Sequence, residues 1–92
     1  MDATLILQPQ LTQEILKTKL KKSLRVGATE NIDRRHKEYA TAGYEGKMWF
    51  AKTENMAYAE DKLLSECTCP KNIKKKSNNK DTCGYIYVIT AN

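Results

Sequence analysis

No apolar run in the 92-residue sequence approaches the roughly 20 residues that span a bilayer. The longest are Leu5-Ile6-Leu7 and Tyr85 to Ile89. With a mean hydropathy of −0.68, they exclude a membrane-embedded chain. Met1-Asp2-Ala3-Thr4 has neither the basic n-region nor the long apolar stretch of a secretory signal. The chain is therefore expected in the reducing interior of the cell, in cytoplasm or nucleus. Cysteine is sparse and odd in number, with Cys67, Cys69 and Cys83, which argues against a disulfide framework. Histidine occurs once, as His36, so there is no His-rich metal motif. Walker and Rossmann glycine patterns and tandem repeats are also missing. Positive charge is what the chain has in excess. Lys and Arg number 16 against 11 Asp and Glu, a net charge of +5 and a pI near 9.2. Trp49, Phe50 and five tyrosines supply enough apolar surface to argue against disorder. So short a chain has room for one core and no second, so residues 1–92 are expected to form a single domain.

Thr4 to Gln8 is a short apolar run stopped by Pro9, the pattern of a buried or edge strand. From Leu11 to Lys22, Leu11, Ile15, Leu16 and Leu20 fall on one helical stripe, while Lys17, Lys19, Lys21 and Lys22 crowd the rest. That predicts one amphipathic basic helix. Its lysines fit a solvated face as well as a phosphate footprint. Leu24 to Thr29 reads as a strand, and Asn31 is placed to cap a helix from Ile32 to about Ala40. Gly43 and Gly46 mark a turn before a strand over Lys47 to Thr53. Glu54 and Asn55 begin a helix that runs through about Glu66 on the stripe Met56, Ala59, Leu63 and Leu64, ended by Cys69-Pro70. Residues 71 to 80 carry five lysines and little apolar content, a loop. Gly84 to Thr90 is aromatic or β-branched almost throughout, which predicts a strand at the centre of the sheet.

Two charged residues border apolar stripes. Arg35 lies three residues after Ile32 and four before Tyr39, and Glu60 lies four after Met56 and three and four before Leu63 and Leu64. Long side chains at a stripe's edge commonly snorkel to water. Brought to one side of a small sheet, however, an arginine and a glutamate would hold a phosphate and a divalent cation. Cys67, Cys69, Cys83 and His36 offer a zinc site on paper, but the ligand spacing is wrong and free cysteines fit better.

The run Arg25-Val26-Gly27-Ala28-Thr29-Glu30-Asn31-Ile32-Asp33-Arg34-Arg35 resembles the second half of the GIY-YIG nuclease signature, in which Tyr-Ile-Gly-x-Thr leads into a helix with an essential arginine. Gly27, Thr29, Asn31 and Arg35 match it. Glu60-Asp61-Lys62-Leu63-Leu64 resembles the family's metal-binding glutamate motif, and Pro70-Lys71-Asn72 its supporting asparagine element. The likeness runs from about Leu24 to Ile73. It implies a small α+β domain in which helices flank a mostly antiparallel sheet of three or four strands.

Two features depart from the family. Arg25 stands where the tyrosine of the second motif is usual. The segment resembling the first motif, Gly84 to Ile89, comes last, as in a circular permutation. Either this strand supplies Tyr87 to the usual place, or Thr4 to Gln8 takes that place without a tyrosine, or the terminal strand opens a second domain.

The resemblance implies metal-dependent cleavage of nucleic acid, DNA in preference to RNA. Tyr87 would act with water as base or proton acceptor, and Glu60 would hold one Mg²⁺ or Mn²⁺. Arg35 would neutralise phosphate charge, Asn72 would orient the cleft, and Tyr39 would offer a second hydroxyl where packing is the plainer role. Phosphate contacts fall to Arg25, Arg34, Lys17, Lys21, Lys22, Lys74, Lys75 and Lys76. His36, about 100° round the helix from Arg35, is expected at the surface. The alternative is a module of the same fold that binds nucleic acid or protein without catalysis.

Overall fold

The computed structural model describes residues 4–66 and 80–91. In chain order the elements are β1 (Leu5–Leu7), α1 (Gln13–Lys17), a 3-10 turn (Leu20–Lys22), β2 (Ser23–Thr29), α2 (Ile32–Thr41), β3 (Gly46–Thr53), α3 (Met56–Glu66) and β4 (Gly84–Thr90). They form an α+β domain around one four-stranded mixed sheet in the order β1-β3-β4-β2. β4 pairs antiparallel with both β2 and β3, and β1 pairs parallel with β3.

The last strand in sequence therefore lies at the centre. With neighbours on both edges and helices over both faces, β4 has no polar side to show, which is why its sequence is a continuous rather than an alternating apolar run. Val88 and Ile89 are fully buried, and Ile86 and Tyr87 nearly so. Successive residues enter opposite layers. Ile86 and Val88 join Val26, Ala28 and Ala51 beneath α1 and α3, through Leu16, Leu20, Met56, Ala59 and Leu63. Tyr87 and Ile89 join Met48 and Leu5 beneath α2, through Ile32, Tyr39 and Ala40.

β2 and β3 both run antiparallel to β4 and hence parallel to each other. Each ends in Thr-Glu-Asn and turns into a helix. Thr29 Oγ1 accepts from the Asn31 N–H at 3.1 Å, and Asn31 Oδ1 accepts from the Arg34 N–H at 3.0 Å. Thr53 Oγ1 accepts from the Asn55 N–H at 3.2 Å, and Asn55 Oδ1 accepts from the Tyr58 N–H at 3.0 Å. Both elbows satisfy helix-start amides that would otherwise lack partners. One helix goes to each face, so the two strand-elbow-helix units are related by an approximate twofold axis along β4. The three-residue echo is no solenoid repeat, and it is plain in sequence only once the two junctions are seen side by side.

One expectation changes. The predicted helix from Leu11 to Lys22 is broken. Thr12 caps α1 through its Oγ1, Thr18 closes it by donating to the Ile15 carbonyl at 2.6 Å, and Leu11 N–H donates to the Phe50 carbonyl beside β3. A threonine that caps the start, a second that closes the end and a lysine-crowded face leave a single turn and a half, buried by Leu16 and Leu20. The N-terminal strand lies at the sheet edge beside β3, one of the two positions its short apolar run allows, and of the alternatives for the place beside β2 it is β4 that takes it.

Candidate active site

Tyr87 is the residue around which the α2 face is built. In register it sits between Gly27 of β2 and Phe50 of β3, and it is 1% exposed. A Cβ at Gly27 would overlap the Oη and Cζ of Tyr87, so the ring lies over the one residue of β2 that leaves it space. Arg35, on the inward margin of α2, donates from Nη1 to Tyr87 Oη at 3.1 Å. Tyr39, one helical turn further on, places its hydroxyl 2.8 Å from that of Tyr87. Arg25, two residues before Gly27 and so on the same face of β2, donates from Nε to Tyr39 Oη at 2.8 Å. Two guanidinium groups thus flank two hydroxyls in a chain Arg25, Tyr39, Tyr87, Arg35.

The electrostatics follow from burial and from this chain. Burial pushes the Tyr87 pKa well above the ordinary tyrosine range, the adjacent Tyr39 raises it further, and the pull of Arg35 does not offset them. Burial works against the charge on Arg35 and on Arg25. Tyr87 and Tyr39 outweigh it for Arg35, and Tyr39 and Tyr44 outweigh it for Arg25, so both guanidiniums are held above their usual value. Arg35 Nε lies 3.0 Å from Glu38 Oε1, yet it is buried without a hydrogen bond, because the carboxylate sits off the N–H direction. The pair is an ion contact rather than a directed bond.

Among the expected site residues, Arg25, Arg35, Tyr39 and Tyr87 come together. Arg34 is exposed and lies 3.8 Å from Glu38. Glu60 is half-buried on α3, whose apolar stripe packs on the other face of the sheet. Arg35 and Glu60 therefore belong to opposite layers, and a ligand reaching both would wrap around the sheet rather than lie on one side of it. Lys17, Lys21 and Lys22 are exposed on the α1 and α3 layer. Asn72, Lys74, Lys75 and Lys76 lie outside the described residues, as do Cys67 and Cys69. Cys83 is a free exposed thiol.

His36 is half-buried rather than at the surface. Its Nε2 meets the Leu5 carbonyl at 2.5 Å and ties α2 to β1. A carbonyl can only accept, so Nε2 carries the proton. No group of three or more His, Cys, Asp or Glu side chains lies together among the described residues, and no described helix is long and apolar enough to cross a membrane. A separate open groove of about 500 Å³ lies at the start of α3, lined by Gln13, Lys52, Glu54 and Tyr58 among others, and none of the tyrosine–arginine cluster lines it.

Arg25 and Tyr39 were undervalued by sequence reasoning as parts of a site. The signal for Arg25 is its two-residue spacing from Gly27, which places both on one face of a strand. Compared with known proteins, the chain matches no family model, no curated protein and no solved structure.

Proposed function

We propose that this chain cleaves phosphodiester bonds of nucleic acid in a divalent-metal-dependent reaction, as a permuted relative of the GIY-YIG nucleases it resembles. The observation that carries the reading is the position of β4. A C-terminal strand with a GIY-like sequence pairs between β2 and β3 and sets its tyrosine against Gly27, Arg35 and Tyr39. Of those partners, Gly27 and Arg35 are residues at which the sequence resembles the family's second motif and its arginine helix.

The donor set is compatible with the metal. Mg²⁺ keeps most of its waters and takes one or two carboxylates plus substrate phosphate, so the carboxylate of the half-buried Glu60 is a donor of the type it takes, where a thiophilic ion would not be suited. Glu60 would hold the ion on the α3 layer, where it would supply Lewis-acid charge to a phosphate of a strand that wraps round the sheet from the layer of Arg35 and the tyrosine pair. The protein's own groups do the rest. Arg35 faces phosphate charge, the tyrosine pair handles the proton of the attacking water, and the lysines of the 17–22 segment engage the backbone.

A second reading, a nucleic-acid-binding or protein-binding module without catalysis, is favoured by Arg25 in the tyrosine position and by the opposite-layer placement of Arg35 and Glu60. Incubation with labelled single-stranded and duplex DNA and RNA, with Mg²⁺, Mn²⁺ or chelator, separates the two. Metal-dependent products support the nuclease. Salt-sensitive binding without products supports the module.

A further inference from the structure

Resting on the nucleic-acid part of that reading and not on catalysis, we infer that Trp49 is the floor of a seat for one nucleotide of a single-stranded segment. The base lies on the indole beside Ile6, and the adjoining phosphates meet Lys19 and Lys47.

Register places the parts. Ile6 of β1 pairs with Lys47 of β3, and Lys47 and Trp49 are two residues apart on one strand, so the three side chains project to the same face of the sheet. That face carries the α1 and α3 layer, because Trp49 packs against the core cluster of Leu16 and Val88, while Leu5, Leu7 and Met48 project to the other. The helices leave this corner open. Ile6 is 49% exposed and Lys47 is exposed as well, so the helical layer stops short of β1. Trp49 is half-buried, and its Nε1 donates to Thr90 Oγ1 at 2.9 Å, which holds the ring in place. Two ammonium groups approach that ring. Lys19 Nζ, from the residue before the 3-10 turn, lies 4.0 Å from the ring centroid, and Lys47 Nζ lies 5.8 Å from it. Among the described residues neither lysine is in a salt bridge. A lysine ammonium without a carboxylate has to keep water around it, so the indole face beneath Lys19 is the solvent side.

Charge and surface together name the occupant. Lys21 and Lys22 extend the positive charge along the 3-10 turn and are exposed. The partner must therefore be anionic along its length and flat and apolar between its charges. Single-stranded nucleic acid has both properties, with phosphates for the lysines and a base for the ring. A duplex offers this corner its phosphates only, since its bases are stacked on one another. A cation is held weakly over an exposed ring and more strongly by a phosphate. On binding, Lys19 thus passes from the indole to the phosphate and leaves the ring face to the base. The seat shares its layer with α3, which bears Glu60, and not with the tyrosine–arginine cluster. It takes a different part of the strand from the one that faces Arg35.

Trp49 is the single tryptophan of the chain, so its fluorescence reports on this seat alone. The test titrates the chain in EDTA, where metal-dependent cleavage is silent, with oligothymidylate, oligouridylate, a blunt DNA duplex and inorganic tripolyphosphate. Fluorescence anisotropy of a labelled single strand then compares the wild-type chain with Lys19→Gln, Lys47→Gln, Trp49→Leu and Trp49→Phe, each checked for an unchanged thermal midpoint. The single strands should quench Trp49 strongly, and the duplex and tripolyphosphate should not. Trp49→Leu should bind about 5- to 150-fold more weakly, the worth of one base stacked on an aromatic ring, and Trp49→Phe should recover part of the loss. Each lysine variant should lower the slope of log affinity against log salt by about 0.7, the value of one phosphate in a single strand. Should Trp49→Leu fail to fold, the emission of the wild-type chain and the exposed Lys47→Gln still decide. A duplex or tripolyphosphate that quenches as deeply as the single strands overturns the stacked base. Salt slopes unchanged in both lysine variants overturn the phosphate contacts. Quenching by phosphatidylserine vesicles with none by oligonucleotides overturns the choice of partner. Cleavage without quenching removes the seat and leaves the nuclease, whereas quenching without cleavage removes the nuclease and leaves the seat.

Discussion

Gly27 and Tyr87 face each other in register across β2 and β4, and the tyrosine hydroxyl occupies the space where a side chain at 27 would begin. The fit explains at once why β2 carries a glycine in its middle, where glycine is otherwise unfavourable, and why the C-terminal strand can bring a polar ring into a buried layer. The hydroxyl is received by Arg35 and Tyr39, so its burial leaves no unmet hydrogen bond.

Replacing Gly27 by alanine forces that ring to move within a closed layer. Overpacking of this kind costs about 1–3 kcal/mol. A denaturant titration of Gly27→Ala should therefore show a lower midpoint at unchanged slope. An unchanged midpoint would mean that Tyr87 does not lie where β4 puts it.

Tyr87 also gives the domain an alkaline limit. Its folded pKa is raised above the unfolded value of 10.0, so the folded state keeps a proton that the unfolded chain releases. The contribution is complete below pH 10 and is lost as pH climbs above it, with a slope of up to about 1.4 kcal/mol per pH unit while only the unfolded form ionises. Unfolding midpoints measured from pH 8 to 11 should fall more steeply for the wild-type chain than for Tyr87→Phe. Parallel profiles would contradict the buried phenol.

The paired elbows predict paired losses. Asn31→Ala and Asn55→Ala each remove one helix cap, worth about 0.5–2 kcal/mol. Because the two caps serve different helices on opposite faces and share no partner, the double variant should lose the sum. Strong coupling between them in a thermal or denaturant cycle would show that the elbows are not independent.

Much of this architecture is legible in the sequence for local reasons. The apolar run Gly84 to Thr90 declares a strand covered on both faces, and Asn31 declares its helix by a side chain that reaches only three residues on. The same locality explains the misreading of Leu11 to Lys22, where periodicity continues through two threonines, Thr12 and Thr18, that set the start and the end of the helix by bonding its own backbone. The site was legible only in part. Arg35 and Tyr39 share a helical face by spacing, but the bond from Tyr39 to Tyr87 spans 48 residues and exists because β4 enters between two earlier strands. His36 was expected at the surface because nothing in the sequence shows that β1 would pack beside α2.

Salt should report on the basic surface separately from chemistry. If the lysines at 17, 21 and 22 contact backbone phosphates, the affinity for a nucleic-acid duplex should fall linearly in log–log form with added salt, and replacing one of them by glutamine should lower the slope by about 1. A slope near zero would point to an apolar protein partner instead.

The most direct test of the nuclease itself is cleavage of labelled DNA and RNA by the purified chain and by Glu60→Ala, with Mg²⁺ or Mn²⁺ and with chelator, each protein checked for an unchanged circular dichroism spectrum. The account predicts metal-dependent products from the wild-type chain, none with chelator, and none from folded Glu60→Ala. Cleavage that survives in Glu60→Ala or in chelator, or a folded wild-type chain that yields no products under any of these conditions, would contradict it.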